Sequence, residues 1–251
     1  MLFNYSNIDE YDSSEDCVIG KVLLGLVFNP LIPANANSNL MRSFIRCYMD
    51  NQVDELDFDN AEILFKPKYS WFNTYESRAE DKTAPDLLLV FPKKAVIAFE
   101  VKYTLPIQSP QPPNLPHQLF REYDNLQIIQ KRFNATNRYL FLLITHQRLF
   151  SHINKGPNIG LNILKKCIDI YSDNFRINTW NQVFQTIAST DDSTLAEKTQ
   201  ILSYLKQKKN YMTNSMDGNK SNLVELITRS NGDLPLYSWS QLKEIITSSN
   251  K

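Results

Sequence analysis

The sequence predicts an α/β protein with a mixed central sheet, followed by a mostly helical C-terminal region. Three observations carry this. Leu87 to Phe91 and Ala95 to Val101 are strongly apolar and separated only by Pro92, Lys93 and Lys94, which reads as a tight antiparallel hairpin. From His117 to Phe133, Leu119, Phe120, Tyr123, Leu126 and Ile129 recur at helical spacing. Arg138 to Thr145, with Tyr-Leu-Phe-Leu-Leu-Ile inside it, reads as a strand buried on both faces.

In chain order, residues 1–37 are expected to form an N-terminal arm and an apolar segment. The arm is polar and acidic, and the apolar stretch 18–28 ends at Asn-Pro-Leu-Ile-Pro. Asn37 or Ser38 can cap a helix reaching about Asp50, in which Leu40, Met41, Phe44, Cys47 and Tyr48 line one face. Residues 61–71 read as a strand that loses regularity near Pro67. The five prolines between Leu105 and Pro116 make that stretch a crossing loop. The order helix, three strands, helix, strand makes 38–150 the core. Residues 151–251 read mainly as helices and loops, an accessory region expected to pack on that core. Within it Thr179-Trp180 and Ser238-Trp239 each open a similar capped amphipathic pattern, best explained as two core helices.

Apolar residues make up 42% of the 251 and charged residues 22%, a profile that folds rather than one of a disordered chain. Lysine plus arginine and aspartate plus glutamate both total 27, so any contact with a polyanion must be local. The basic residues Lys66, Lys68, Lys93, Lys94, Lys131, Arg132, Lys165 and Lys166 could line such a groove. Cys17, Cys47 and Cys167 show neither a disulfide framework nor a metal-ligand spacing, which fits a reducing compartment. No apolar run approaches the ~18 residues of a membrane helix, and the acidic N-terminus is unlike a signal peptide. The expected location is therefore cytoplasmic, with no membrane partner. With six glycines there is no phosphate loop or dinucleotide fingerprint. His117, His146 and His152 match no ligand spacing, although His117 stands beside Gln118.

The chemistry concentrates at the hairpin. Side chains alternate along a strand, so Ala98, Glu100 and Lys102 share one face while Ile97, Phe99 and Val101 share the other. A Glu and a Lys on an otherwise apolar strand are costly unless their face opens on a cleft. A three-residue turn pairs Phe91 with Ala95 and, counting back, Asp86 with Glu100. Opposed like charges repel across ~4.5–5.5 Å between Cβ atoms, and a divalent cation would turn that repulsion into attraction. Two carboxylates helped by a backbone carbonyl suit Mg²⁺. Lys102 could orient or help deprotonate an attacking water and stabilise charge building on a phosphate.

Pro85-Asp86 followed by Glu100-Val101-Lys102, in that element order, resembles the PD-(D/E)XK nuclease superfamily, which includes restriction endonucleases, RecB-like exonucleases and resolvases. The resemblance covers about 38–146. It implies a restriction endonuclease-like αβββαβ core, with Asp86 and Glu100 as metal ligands, Val101 lending its carbonyl and Lys102 as the catalytic lysine. It also implies Mg²⁺ as cofactor, with Mn²⁺ able to substitute. The expected activity is phosphodiester hydrolysis, with DNA as the expected substrate and an endonuclease role in restriction, defence or repair; an RNA-directed nuclease would share the same metal site, since that site acts on the phosphate. A homodimer for double-strand cutting follows by analogy only. The RecB-like branch carries a Gln and a Tyr four apart on the next helix. Here Gln118 and Tyr123 are five apart, so Gln118 is the candidate and Tyr123 is expected to be core packing. An upstream acid could come from Asp50, Glu55, Glu76 or Glu80. The competing reading is a catalytically inactive nuclease-fold protein that binds nucleic acid or protein.

Overall fold

A computed structural model describes residues 34–69, 72, 84–102, 107, 116–144, 146–154, 158–180, 182 and 237–249. Helix α1 spans Ala34–Met49 and is followed by a 3-10 helix, Asp50–Glu55. Strands β1 (Glu62–Phe65), β2 (Leu87–Phe91) and β3 (Ala95–Lys102) precede helix α2 (Gln118–Arg132) and strand β4 (Asn137–Ile144). Helices α3 (His146–Asn154) and α4 (Ile159–Tyr171), strand β5 (Phe175–Thr179) and helix α5 (Trp239–Ser248) complete the described elements.

The five strands form one open sheet in sequence order. β1, β2 and β3 pair antiparallel, whereas β3, β4 and β5 pair parallel, so the sheet is mixed. The hairpin has the register that its turn length predicts, with Phe91 opposite Ala95 and Leu87 opposite Phe99. Lys94 N–H closes the turn on the Phe91 carbonyl at 3.0 Å, and Lys93 takes a left-handed φ of 64°.

Each sheet face has its own core. Ile97, Phe99, Val101, Phe141 and Leu143 pack under α1 through Phe44, Ile45 and Tyr48. The Tyr48 ring stacks on Phe141 with centroids 4.5 Å apart and meets Phe99 edge-on at 5.6 Å. The opposite face, with Leu88, Val96, Ala98, Leu140 and Leu142, is covered by Leu119, Leu126 and Ile129 of α2 and by apolar residues of α4 and α5. Both faces of β3 and β4 are therefore buried, which is why these strands read as nearly continuous apolar runs.

Two expectations about element placement change. Helix α1 begins at Ala34 rather than at Asn37 or Ser38. Ala34 and Ala36 are strong helix formers, so the two polar residues sit inside the first turns instead of capping them. More consequential, the region expected to be mainly helical supplies β5 to the sheet. Phe175 and Ile177 join the α2-side core, while Arg176 and Asn178 face α1, buried but paired. Arg176 donates to the Tyr48 carbonyl and to Gln52 Oε1 (3.1 Å), and Asn178 Nδ2 donates to the Cys47 carbonyl at 3.3 Å. Those bonds satisfy the carbonyls at the end of α1.

At α5 the cap follows the sequence pattern: Ser238 accepts from Gln241 N–H, and the Gln241 side chain accepts from Ser238 N–H. The similar segment opened by Trp180 lies largely outside the described residues, although Trp180 itself is buried. Among the described residues no helix is long and apolar enough to cross a membrane.

Candidate active site

Because β3, β4 and β5 run parallel, their carboxyl ends lie at one edge of the sheet, where open α/β sheets bind ligands. β2 runs the other way, so its first residues meet the last residues of β3 at that edge. The chain then returns through α2, whose N-terminus starts there. Asp86, Glu100, Lys102 and Gln118 are thus gathered by topology from three elements.

The ladder between β2 and β3 ends at Leu87 opposite Phe99, and Asp86 N–H donates to the Phe99 carbonyl at 3.0 Å. Asp86 Oδ2 accepts from Val101 N–H at 2.8 Å. Within a strand the N–H and C=O of one residue turn toward the same neighbour, so the Val101 carbonyl lies on the Asp86 side as well. Glu100 and Lys102, two residues apart, meet at 2.5 Å between Oε1 and Nζ. The side chains are nearly closed off, at 2% exposed for Glu100 and 10% for Lys102. The open cleft expected over this face is therefore not present at Glu100. Beside it, Asp86 is 14% exposed, and Lys66, 3.8 Å from Asp86, is 39% exposed.

Burial pushes the Glu100 carboxyl well above the usual carboxylate range, the neighbouring Asp86 charge pushes it further, and Lys102 opposes both. Its second oxygen, Oε2, is buried with no hydrogen-bond partner among the described residues. An orphaned carboxylate oxygen beside a second carboxylate is costly unless a cation or a proton is supplied. The donor set fits a hard divalent cation on that ground. Among the described residues no three His, Cys, Asp or Glu side chains converge on a common metal position. Asp86, Glu100 and the Val101 carbonyl are accordingly the groups available to hold one, leaving the remaining positions to water as Mg²⁺ prefers.

The first turns of α2 carry a residue that sequence reasoning passed over. Glu122 lies one turn beyond Gln118 and is fully buried. Tyr69, also fully buried, donates its hydroxyl to Glu122 Oε2 at 2.6 Å, and Gln118 Nε2 reaches Oε1 at 3.4 Å. Burial raises the Glu122 carboxyl to about 7, with the bonds from Tyr69 and Gln118 pulling the other way. Its position, four after Gln118, is the one where the RecB-like spacing looks for a tyrosine. The signal was present as an acid on the sheet-facing side of an amphipathic helix.

Tyr123, five after Gln118, packs as expected. Its ring stacks on Tyr171 at 3.9 Å, lies under the Arg138 guanidinium at 4.6 Å, and its hydroxyl accepts from Asn174 at 3.1 Å. His117 is the N-cap of α2: Nδ1 accepts from Leu119 N–H at 3.2 Å and Nε2 meets the Ile107 carbonyl. Burial lowers its pKa, so the neutral ring serves as a cap. His152 packs against Asn158 and Gly160 at the start of α4.

Of the upstream acid candidates, Glu76 and Glu80 lie outside the described residues. Glu55 lines a cavity of about 140 Å³ with Lys94 and Asn137, at the hairpin-turn end of the sheet. Seven residue steps separate Ala95 there from Lys102, roughly 23 Å of strand. Asp50 begins the 3-10 helix that leads to Glu55. Lys93, Lys94, Lys131 and Arg132 also belong to that far end, where Lys93 N–H bonds the Phe133 carbonyl at 3.2 Å. Among the basic residues named from sequence, Lys66 stands against the acids, with Nζ 3.8 Å from Asp86 Oδ1.

No protein-family model, curated protein or solved structure matches the chain.

Proposed function

We propose that this chain is a metal-dependent nuclease of the PD-(D/E)XK type with a restriction endonuclease-like core, using Asp86, Glu100 and Lys102 to hydrolyse phosphodiester bonds, with DNA as the substrate. The observation that carries this reading is the convergence of Asp86, from the start of β2, with Glu100 and Lys102, from the end of β3, at the carboxyl edge of the parallel strands. A chain building only a stable sheet gains nothing from a buried acid beside a half-buried one, since desolvation and repulsion oppose folding.

Asp86, Glu100 and the Val101 carbonyl would hold the Mg²⁺, and Mn²⁺ offers the same hard, oxygen-seeking chemistry. When bound, that ion would supply positive charge to the phosphate and acidify a water. Val101 N–H bonds one Asp86 oxygen at 2.8 Å, which helps to orient the carboxylate and supports its role as a ligand. Lys102 keeps its ammonium against Glu100 in a site sheltered from bulk water, where a fixed cation stabilises developing negative charge far more than in solvent. Gln118, at the first turn of α2, reaches Glu122 Oε1 at 3.4 Å, and the Glu122 carboxyl is influenced by the Asp86 and Lys102 charges.

The test is direct. Purified chain should degrade plasmid DNA with Mg²⁺ and stop when the ion is chelated. Lys102→Ala and Asp86→Ala should each lower the rate by at least about a hundredfold. Undiminished cleavage by both variants would remove the basis of the reading.

A further inference from the structure

We propose that the cavity at the hairpin-turn end of the sheet binds a small aliphatic zwitterion of the α-amino-acid class, its carboxylate on Lys94, its ammonium on Glu55 and its hydrocarbon body on Met49, Leu56 and Ala95. The cavity lies at the opposite end of β3 from Lys102, and the inference stands apart from the nuclease reading.

The cavity has two layers. Its floor is apolar and enclosed: Met49, Leu56, Ala95 and Tyr139 are each at most 7% exposed and belong to the core under α1. Its rim is polar and exposed, and includes Gln52, Glu55 and Lys94. An apolar base with a few convergent polar groups is the usual anatomy of a ligand site. The volume, about 140 Å³, is close to the ~150 Å³ of a cavity that holds benzene, so it admits roughly six to eight non-hydrogen atoms and is too small for a nucleotide.

Charge selects the occupant. Glu55 and Lys94 line one small cavity with opposite charges, yet among the described residues neither forms an ion pair. Glu55 would repel a simple anion and Lys94 a simple cation, whereas a molecule carrying both charges satisfies both at once. The Tyr139 hydroxyl sits in the field of the acid: burial raises it above its usual range, the Arg176 charge opposes this and Glu55 adds to it. Gln52 Oε1 accepts from Arg176 at 3.1 Å, which turns its amide N–H groups to the task of meeting a ligand carboxylate. The backbone under Lys94 is fixed, since its N–H bonds the Phe91 carbonyl at 3.0 Å and its carbonyl accepts from Asn137 N–H at 3.0 Å and Thr136 Oγ1 at 2.8 Å. Substituting the Lys94 side chain therefore leaves the turn intact.

The test titrates the full chain, methyl-labelled at alanine and methionine, with L-valine, with isovalerate, which lacks the amine, and with isobutylamine, which lacks the carboxylate. L-Valine should shift the Ala95 and Met49 methyl resonances saturably, with a dissociation constant on the order of 1 mM. Either analogue should bind about two- to fivefold more weakly, the worth of one solvent-screened ion pair. In Lys94→Gln, L-valine and isobutylamine should bind alike; in Glu55→Gln, L-valine and isovalerate should bind alike. Absence of saturable shifts at those methyls, or a preference for L-valine that survives unchanged in both variants, overturns the proposal and leaves the nuclease reading untouched.

Discussion

Glu122 offers a perturbation whose sign and size follow from its surroundings. Its carboxyl is raised from 4.5 to about 7, chiefly by burial. The folded chain therefore holds a proton there that the unfolded chain has released between those two values. The stability this group contributes is fully present below about 4.5, is lost as pH rises through about 7, and is gone above that. The span is worth about 3 kcal/mol. Glu122→Gln removes the charge and keeps an oxygen able to accept from the Tyr69 hydroxyl. In urea denaturation with chelator present, the variant should match wild type near pH 4 and exceed it by about 3 kcal/mol near pH 8. In thermal melts that is roughly 6–12 °C for a domain of this size. Glu100 contributes a pH dependence of its own to both proteins, and because the Glu122 charge is one of the smaller causes raising Glu100, the difference between them reads Glu122 together with that coupling. Equal stability of the two proteins at both pH values would refute the reasoning, because it would mean that Glu122 is solvated or already neutralised.

Tyr69→Phe should destabilise the chain by about 1.5–3 kcal/mol above neutral pH, where the lost bond is to a carboxylate, and by about 1 kcal/mol at pH 4. Since the Tyr69 bond holds the Glu122 carboxyl down, the midpoint of the pH-dependent loss should also move upward; a midpoint that stays put would show that the two groups are not coupled. Gly160→Ala, which would ordinarily favour a helix, should instead cost about 1–3 kcal/mol. The added methyl would lie 2.5 Å from His152 Nδ1, and Asn158 holds that ring in place; a melt equal to or above wild type would contradict the packing at the start of α4. Phe141→Ala should cost about 3–5 kcal/mol in urea melts, since its ring is fully buried between Tyr48 and Phe99.

The hairpin and the acids on it were legible because their logic is local. Three turn residues set the register, period-two alternation sets the faces, and together they place Asp86 beside Glu100 before any tertiary information enters. The β4 strand was equally clear, being too apolar to lie anywhere but mid-sheet. β5 was hidden by its polar residues. Arg176 and Asn178 look solvent-facing in sequence, whereas their partners are carbonyls at the end of α1, more than a hundred residues earlier. The pairing of Glu122 with Tyr69 was illegible for a related reason. Helical spacing puts Glu122 on the sheet-facing side of α2, but nothing local announces a partner 53 residues away. Lys66 appeared in sequence as one of eight scattered cations; the bend before Pro67 separates it from the rest.

Whether Asp86 and Glu100 share a divalent cation beside Lys102 can be seen in crystals grown or soaked with Mn²⁺ and measured at the manganese absorption edge. The expected result is an anomalous peak within coordination distance of an Asp86 carboxylate oxygen, Glu100 Oε2 and the Val101 carbonyl, and no such peak in Asp86→Ala crystals. Full-occupancy manganese bound elsewhere, with the two carboxylates unligated and Glu100 still closed on Lys102, would contradict it.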